Sequence, residues 1–144
     1  MNQVVILYPV FVQVLLTFIV YGLLAVARGR AIAAMDRSGG GADLALGRVV
    51  WPPAAEKRAA NQRNQFELPV LFYAVVAFAL ITKAVDFLLL VLAWLFVLSR
   101  IAHAAIHVGP NRVRWRSPVF ALGVLILATM WLKLFLHILT GGFA

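Results

Sequence analysis

The chain has no cysteine, which excludes disulfides, thiolate catalysis by the protein itself and cysteine-based metal sites. Charge is scarce too: Asp and Glu together number five, against thirteen Lys and Arg, and charged residues make up 12% of the 144 positions. Histidine occurs three times. His103 and His107 are four apart but lack both the glutamate of a zincin motif and a third nearby ligand, so no metal site is expected. What fills the chain instead is hydrocarbon: 64% of the residues are hydrophobic, in four stretches too long or too dense for a soluble core of this size. The expected class is an integral membrane protein.

The four spans are placed at about residues 4–27, 57–82, 84–108 and 118–139, each able to supply the roughly 20 residues a bilayer crossing needs. The first has no basic n-region and no convincing cleavage site, so it reads as a mature helix rather than a signal peptide. Arg28 is expected to close it. A long loop follows, broken by Ser38-Gly39-Gly40-Gly41 and Pro52-Pro53, with a short helical turn possible at Ala42 to Leu46. Spans two and three join tightly around Lys83 to Asp86 as an antiparallel hairpin. Gly109-Pro110-Asn111 breaks the chain again, and Ser117-Pro118 opens the last helix with serine at the N-cap and proline at the first helical position. The expected fold is all-α: one up-down four-helix membrane bundle over residues 1–144.

The net charge of +8 does not point to nucleic acid, because the basic residues sort by membrane side. Arg28, Arg30, Arg37, Arg48, Lys57, Arg58 and Arg63 belong to the first loop region and Arg112, Arg114 and Arg116 to the third, while the second offers Lys83 beside Asp86. The positive-inside rule puts loops one and three in the cytoplasm and both termini on the opposite side. A bacterial inner membrane suits this layout. Part of the basic excess serves topology and attraction to anionic headgroups.

The run from Glu56 to Glu67 passes into the apolar second span with one proline and no glycine before Thr82. It reads as one helix with a polar half and a membrane half. Glu56, Arg63 and Glu67 share a face, with Asn64 beside it. Arg100, His103 and His107, at i, i+3 and i+7 near the cytoplasmic end of the third span, project from one face of their helix. Ionisable groups there are costly unless they meet a partner or a water-filled cavity. Glu67 is the natural counter-charge for Arg100 or Arg63, and Arg116 and Ser117 stand at the same level. Taken singly, each residue reads more simply as structural: a surface pair, a snorkelling arginine, a topology signal. Together with Arg28, the set holds too many cations for its one intramembrane carboxylate, and a small zwitterionic peptide with an extra carboxylate would balance it. Lys133 and His137, four apart in the last span, read as interfacial groups.

These residues carry a resemblance. The pattern E-x-x-x-x-x-x-R-N-x-x-E at Glu56 to Glu67, Ser99-Arg100-Ile101-Ala102-His103, and Arg116-Ser117 resemble, in order and topology, the MAPEG family of membrane-associated proteins in eicosanoid and glutathione metabolism. The motif spacing is most similar to the prostaglandin E synthase and microsomal glutathione transferase branch. The resemblance implies a homotrimer binding glutathione between subunits, open to membrane lipid, and a glutathione transferase or peroxidase acting on a hydrophobic electrophile. It implies that Arg63, Asn64 and Glu67 hold the peptide, with Arg28 and His103 contributing and His107 in place of a usual tyrosine; Arg100 joins the expected binding set by its place on the same helix face. Arg116 would stabilise the thiolate and Ser117 would donate a hydrogen bond to sulfur. The chain departs from the pattern at Ala60, where arginine is common, and at Gln65, where aspartate is often found. The family also holds non-catalytic members that present lipid, so a lipid-binding or scaffold protein is the alternative. A transporter would place its ionisable residues near mid-membrane on several helices, and here they gather at one end.

Overall fold

The computed structural model describes residues 2–37, 46–47, 49–109 and 112–141. A 3-10 turn at Gln3–Ile6 leads into α1, Leu7–Arg37; then follow α2, Pro53–Asn64; α3, Leu68–Ile81; α4, Phe87–Val108; and α5, Val113–Leu139. No strand occurs among the described residues. Four helical segments are long and apolar enough to cross a bilayer: Gln3–Arg37, Pro53–Ile81, Phe87–Val108 and Val113–Leu139. The expected all-α four-helix membrane bundle is the fold observed.

Three boundaries differ from the sequence reading. Arg28 does not close the first helix, which runs on to Arg37; the stretch Arg30-Ala31-Ile32-Ala33-Ala34-Met35 is built largely of good helix formers, and propensity carries it past the last hydrocarbon-facing turn. Ser117 and Pro118 do not open the last helix. It begins at Val113 with Arg112 as N-cap, and Pro118 lies inside it. The proline costs the hydrogen bond to the Arg114 carbonyl, a group still in the polar first turns, where water can take the place of the lost donor. Apart from Leu46, the possible turn at Ala42 to Leu46 lies outside the described residues.

The third difference shapes the molecule. The polar and membrane halves of the second span are two helices, separated at residues 65–67, where Glu67 takes φ −94° and ψ −99°. Pro69 explains the break: its ring would clash with the Gln65 carbonyl, and it has no N–H to bond it. The 14 residues of α3 reach only about 21 Å at 1.5 Å per residue, short of a hydrocarbon core of ~30 Å. α2 must therefore enter the membrane, and the break lies at membrane depth. The chain keeps its amides bonded there through a turn, with the Gln65 N–H donating to the Gln62 carbonyl at 3.0 Å and the Phe66 N–H to the Arg63 carbonyl at 2.9 Å.

A buried side-chain pair ties the break to the first span. Gln13 Nε2, on α1, donates to Gln65 Oε1 at 3.0 Å, and both residues are buried. Below this level the core is apolar. Phe72 of α3 stacks on Phe96 of α4 with ring centroids 4.7 Å apart, and Val75, Val76, Ala79, Leu89, Ala93, Leu127, Met130 and Leu134 close around them.

The opposite end is held by polar stitches. Asp86 caps α4, its carboxylate accepting from the Leu89 amide at 2.9 Å, and Lys133 of α5 pairs with it at 2.7 Å. Partial desolvation pushes the Asp86 carboxyl up, but the Lys133 and Leu89 hydrogen bonds and the Lys133 charge together hold it below its ordinary value. His137 Nε2 meets the Thr82 carbonyl at 3.2 Å, and Gln3 Nε2 donates to the Lys83 carbonyl at 3.3 Å. The two residues expected as interfacial groups thus bind the α3–α4 connection to α5.

Replacing Gln13 with leucine should destabilise the protein by about 1–3 kcal/mol, because Gln65 loses its donor in a dry setting. Gln13→Leu/Gln65→Leu should recover most of the loss. Unfolding midpoints of both variants in detergent check this; a double variant no better than the single one would deny the pair its role.

Candidate functional site

A pocket of about 270 Å³ opens beside the break, lined by Asn64 and Glu67 from the second span, His103 and His107 from α4, and Arg116, Ser117 and Phe120 from α5. Six of the nine residues singled out from the sequence meet here. Their convergence follows from helix geometry. α2 ends at Asn64, so the break delivers Asn64 and Glu67 to the pocket together. His103 and His107 are one turn apart on the face of α4 turned toward α5, and Arg116 and Ser117 sit in the polar first turns of α5.

His107 is the hinge of the polar set. Its Nδ1 lies 3.3 Å from Asn64 Nδ2 and its Nε2 lies 3.4 Å from Arg116 Nη1. A neutral imidazole can accept at only one nitrogen. Turning over the Asn64 amide, whose two ends have the same shape, gives a consistent network: Nδ1–H donates to Asn64 Oδ1, and Nε2 accepts from Arg116. In this form the ring steadies the guanidinium without cancelling its charge.

His103 is buried, and neither of its ring nitrogens has a hydrogen-bond partner among the described residues. Its ring packs against His107 at 5.6 Å and Phe120 at 5.5 Å. A buried polar ring without partners is costly, and it lines the pocket. The pocket therefore combines a guanidinium, a hydroxyl, two imidazoles and an amide with a single carboxylate. These donors fit carboxylates and a thiolate, while Glu67 fits an ammonium.

Three predicted residues lie elsewhere. Arg28 is exposed on α1, its guanidinium 4.9 Å from the Trp51 ring centroid. Arg63 is exposed and outside the lining. Neither expected ion pair forms: among the described residues, no salt bridge joins Glu67 to Arg63 or to Arg100. The helix break separates Glu67 from the register that an i, i+4 pair with Arg63 requires.

Arg100 is buried and works between helices. Its guanidinium lies between the Phe96 and Phe120 rings, 5.6 and 5.2 Å from their centroids. Nη2 makes long contacts of 3.4 and 3.5 Å to the Val119 and Phe120 carbonyls, and Nε one of 3.4 Å to Ser99 Oγ. Gly123 permits this approach: a Cβ there would collide with the guanidinium and stand 2.8 Å from Ser99 Oγ. Arg100 is thus an α4–α5 tie next to the pocket. Its intramembrane cation suggested a ligand in the sequence, and the signal for its structural role was the glycine on the facing helix.

Two polar residues that sequence reasoning passed over are Gln13 and Asn61, both fully buried. For Gln13 a lone amide in an apolar run was the available signal; Asn61, inside the polar run from Glu56 to Glu67, carried none. A larger hollow, about 550 Å³, lies toward the polar end of α1, lined by Arg30, Arg58 and mainly by aliphatic side chains; it lacks the mixed donor set of the smaller pocket. Among the described residues, no group of His, Asp and Glu could hold a metal ion.

The MAPEG family model matches residues 6–136, which takes in nearly all of the four membrane segments and every residue of the pocket. No curated protein and no solved structure matches the chain.

Gly123→Ala should cost about 1–3 kcal/mol, since the new methyl displaces a pinned guanidinium from a packed site. Gly22→Ala, which meets open space on α1, should be neutral or stabilising by up to about 1 kcal/mol. Thermal unfolding of the two variants decides; equal effects would mean that Arg100 is free to move aside.

Proposed function

Because the chain belongs to the MAPEG family, we propose that it is a multi-pass membrane enzyme of the glutathione transferase or peroxidase type, active as a homotrimer. The observation that carries this reading is the pocket itself: Asn64, Glu67, His103, His107, Arg116 and Ser117 line one cavity, and their chemistry is complementary to a small peptide bearing two carboxylates, an ammonium and a thiol.

In this reading Glu67 takes the ammonium, and Asn64 and His103 hydrogen-bond the peptide's polar groups. Arg116, steadied by His107, faces the sulfur, with Ser117 donating to it. A free thiol titrates near ~8.5. A guanidinium in a water-poor site favours the thiolate and lowers that value. The lipophilic electrophile enters laterally from the bilayer. Sulfur then attacks its electron-poor carbon, forming the S–C bond as the leaving group departs, or attacks the outer oxygen of a hydroperoxide, breaking the O–O bond to release the alcohol and leaving a sulfenic acid. A second glutathione converts that sulfenic acid to the disulfide and water. Holding a water-soluble nucleophile beside a membrane-dissolved partner supplies much of the remaining acceleration. The pocket faces the basic loops, which the positive-inside rule assigns to the cytoplasm, where the peptide would be drawn from.

Arg63 and Arg28, outside this cavity within one chain, keep a role only where a neighbouring copy brings them to it. A second reading, a non-catalytic lipid-binding or scaffold protein, is favoured by one observation: Gln65, which stands where the family often has aspartate, is buried against Gln13 and unavailable to a ligand.

Millimolar glutathione should raise the unfolding midpoint of the purified protein, by mass action corresponding to about 2.7 kcal/mol when ligand stands at 100 times Kd. The protein should also conjugate a chlorodinitrobenzene-type electrophile. Arg116→Ala should cut kcat by roughly a hundredfold or more, whereas Glu67→Ala should chiefly raise KM for glutathione. No thermal shift together with no conjugation would favour the non-catalytic reading.

A further inference from the structure

A second cavity, of about 370 Å³, lies between α1, α2 and α4. Leu16, Val20 and Leu23 form its α1 wall, Ala104 and Val108 belong to its α4 wall, and Asn61 is the single polar side chain among its lining residues. The volume is within the usual range for small-molecule sites, roughly 300–1,000 Å³. Leu23 and Ile101 at its edge are exposed, on spans that face lipid, so entry is from the bilayer.

Asn61 makes this cavity more than a packing gap. It is 0% exposed, and both its Nδ2 and its Oδ1 lack a hydrogen-bond partner among the described residues. A carboxamide offers two donors and an acceptor, and stranding all of them among aliphatic side chains opposes folding unless something answers them. Its depth can be fixed from its neighbours on α2. Lys57, one turn before, reaches the Gly109 carbonyl at 3.1 Å, and Gln65, one turn after, reaches Gln13. The amide therefore sits below the membrane boundary. No Lys, Arg, His, Asp or Glu lines the cavity, so an ionised head would be buried without a counter-charge.

We propose that this cavity binds an uncharged, single-headed membrane amphiphile of the alcohol class, with its hydroxyl held by Asn61 and its chain lying along α1 and α4. A hydroxyl matches the amide at both ends: it donates to Oδ1 and accepts from Nδ2. An ether or ester can only accept, leaving Oδ1 stranded. An alkane satisfies neither. The cavity shares the α2 and α4 walls with the candidate site but none of its lining residues, so it is a separate site, and it does not rest on the glutathione reading.

The test uses the full chain in phosphatidylcholine nanodiscs, without glutathione, and a decanol carrying a photoreactive diazirine on its chain. Mass spectrometry should map the label to residues 16–23 and 101–109. Unlabelled 1-decanol should compete roughly fivefold better than decyl methyl ether, the worth of one hydrogen bond made rather than stranded. In Asn61→Leu this ratio should fall to about one. The same variant should melt higher than wild type when no alcohol is present, because it removes an unanswered amide; Asn61→Ala, which removes the same amide, should bring the competition ratio to about one as well. Label absent from both segments, equal competition by alcohol and ether, or a lower melting temperature for Asn61→Leu would each overturn the proposal. The last result would assign the amide's partner to water or a neighbouring copy of the chain.

Discussion

Inside a bilayer no water is available to a broken helix, so irregular backbone survives at membrane depth only where protein covers it or a cavity accepts it. Pro69 forces such a break at residues 65–67, and much of the polar architecture is a response to it. Gln13 reaches Gln65 across the bundle, the freed amides close a turn, and the break sets Asn64 and Glu67 on a pocket faced by α4 and α5. A straight helix through this region would keep Arg63 and Glu67 in register on one face and leave no recess beside it. The break is thus both the costliest local feature of the second span and the origin of the candidate site.

The cations nearby follow two different solutions to the same difficulty. Arg100 is absorbed into the fold: two aromatic faces, carbonyls of α5 and the space at Gly123 take its charge and bulk. Arg116 instead lines the pocket, its Nη1 3.4 Å from His107 Nε2. The difference decides which guanidinium borders the pocket. Helix register alone puts both at similar depth, and only the facing helix separates them.

Much of this was legible in the sequence, because hydrocarbon length and the sorting of basic residues are strong one-dimensional signals. The four spans, the hairpin at Lys83 to Asp86, and the meeting of Asn64, Glu67, His103, His107, Arg116 and Ser117 follow from span order and helical spacing. What was not legible depended on neighbours across the bundle. Glu67 could be matched with Arg63 only by assuming an unbroken helix, and Pro69, two residues later, undid that assumption. Ser117-Pro118 looked like a helix start because it has the right residue types, but the polar turn at 113–117 had already nucleated the helix. Arg28 seemed to end α1, yet a positive charge at the membrane boundary halts the span without halting the helix. Gln13 and Asn61, isolated amides in apolar surroundings, could be given partners or none only once α1, α2 and α4 were brought together.

The central claim is that Arg116 and its neighbours stabilise an anionic sulfur in the pocket. Ultraviolet titration of the thiolate of bound glutathione, on wild type and Arg116→Ala, tests it directly. The claim predicts that bound glutathione is largely thiolate below the ~8.5 of a free thiol, and that Arg116→Ala returns the titration toward that value while binding persists. Bound glutathione that titrates like the free peptide in the wild-type protein would contradict it.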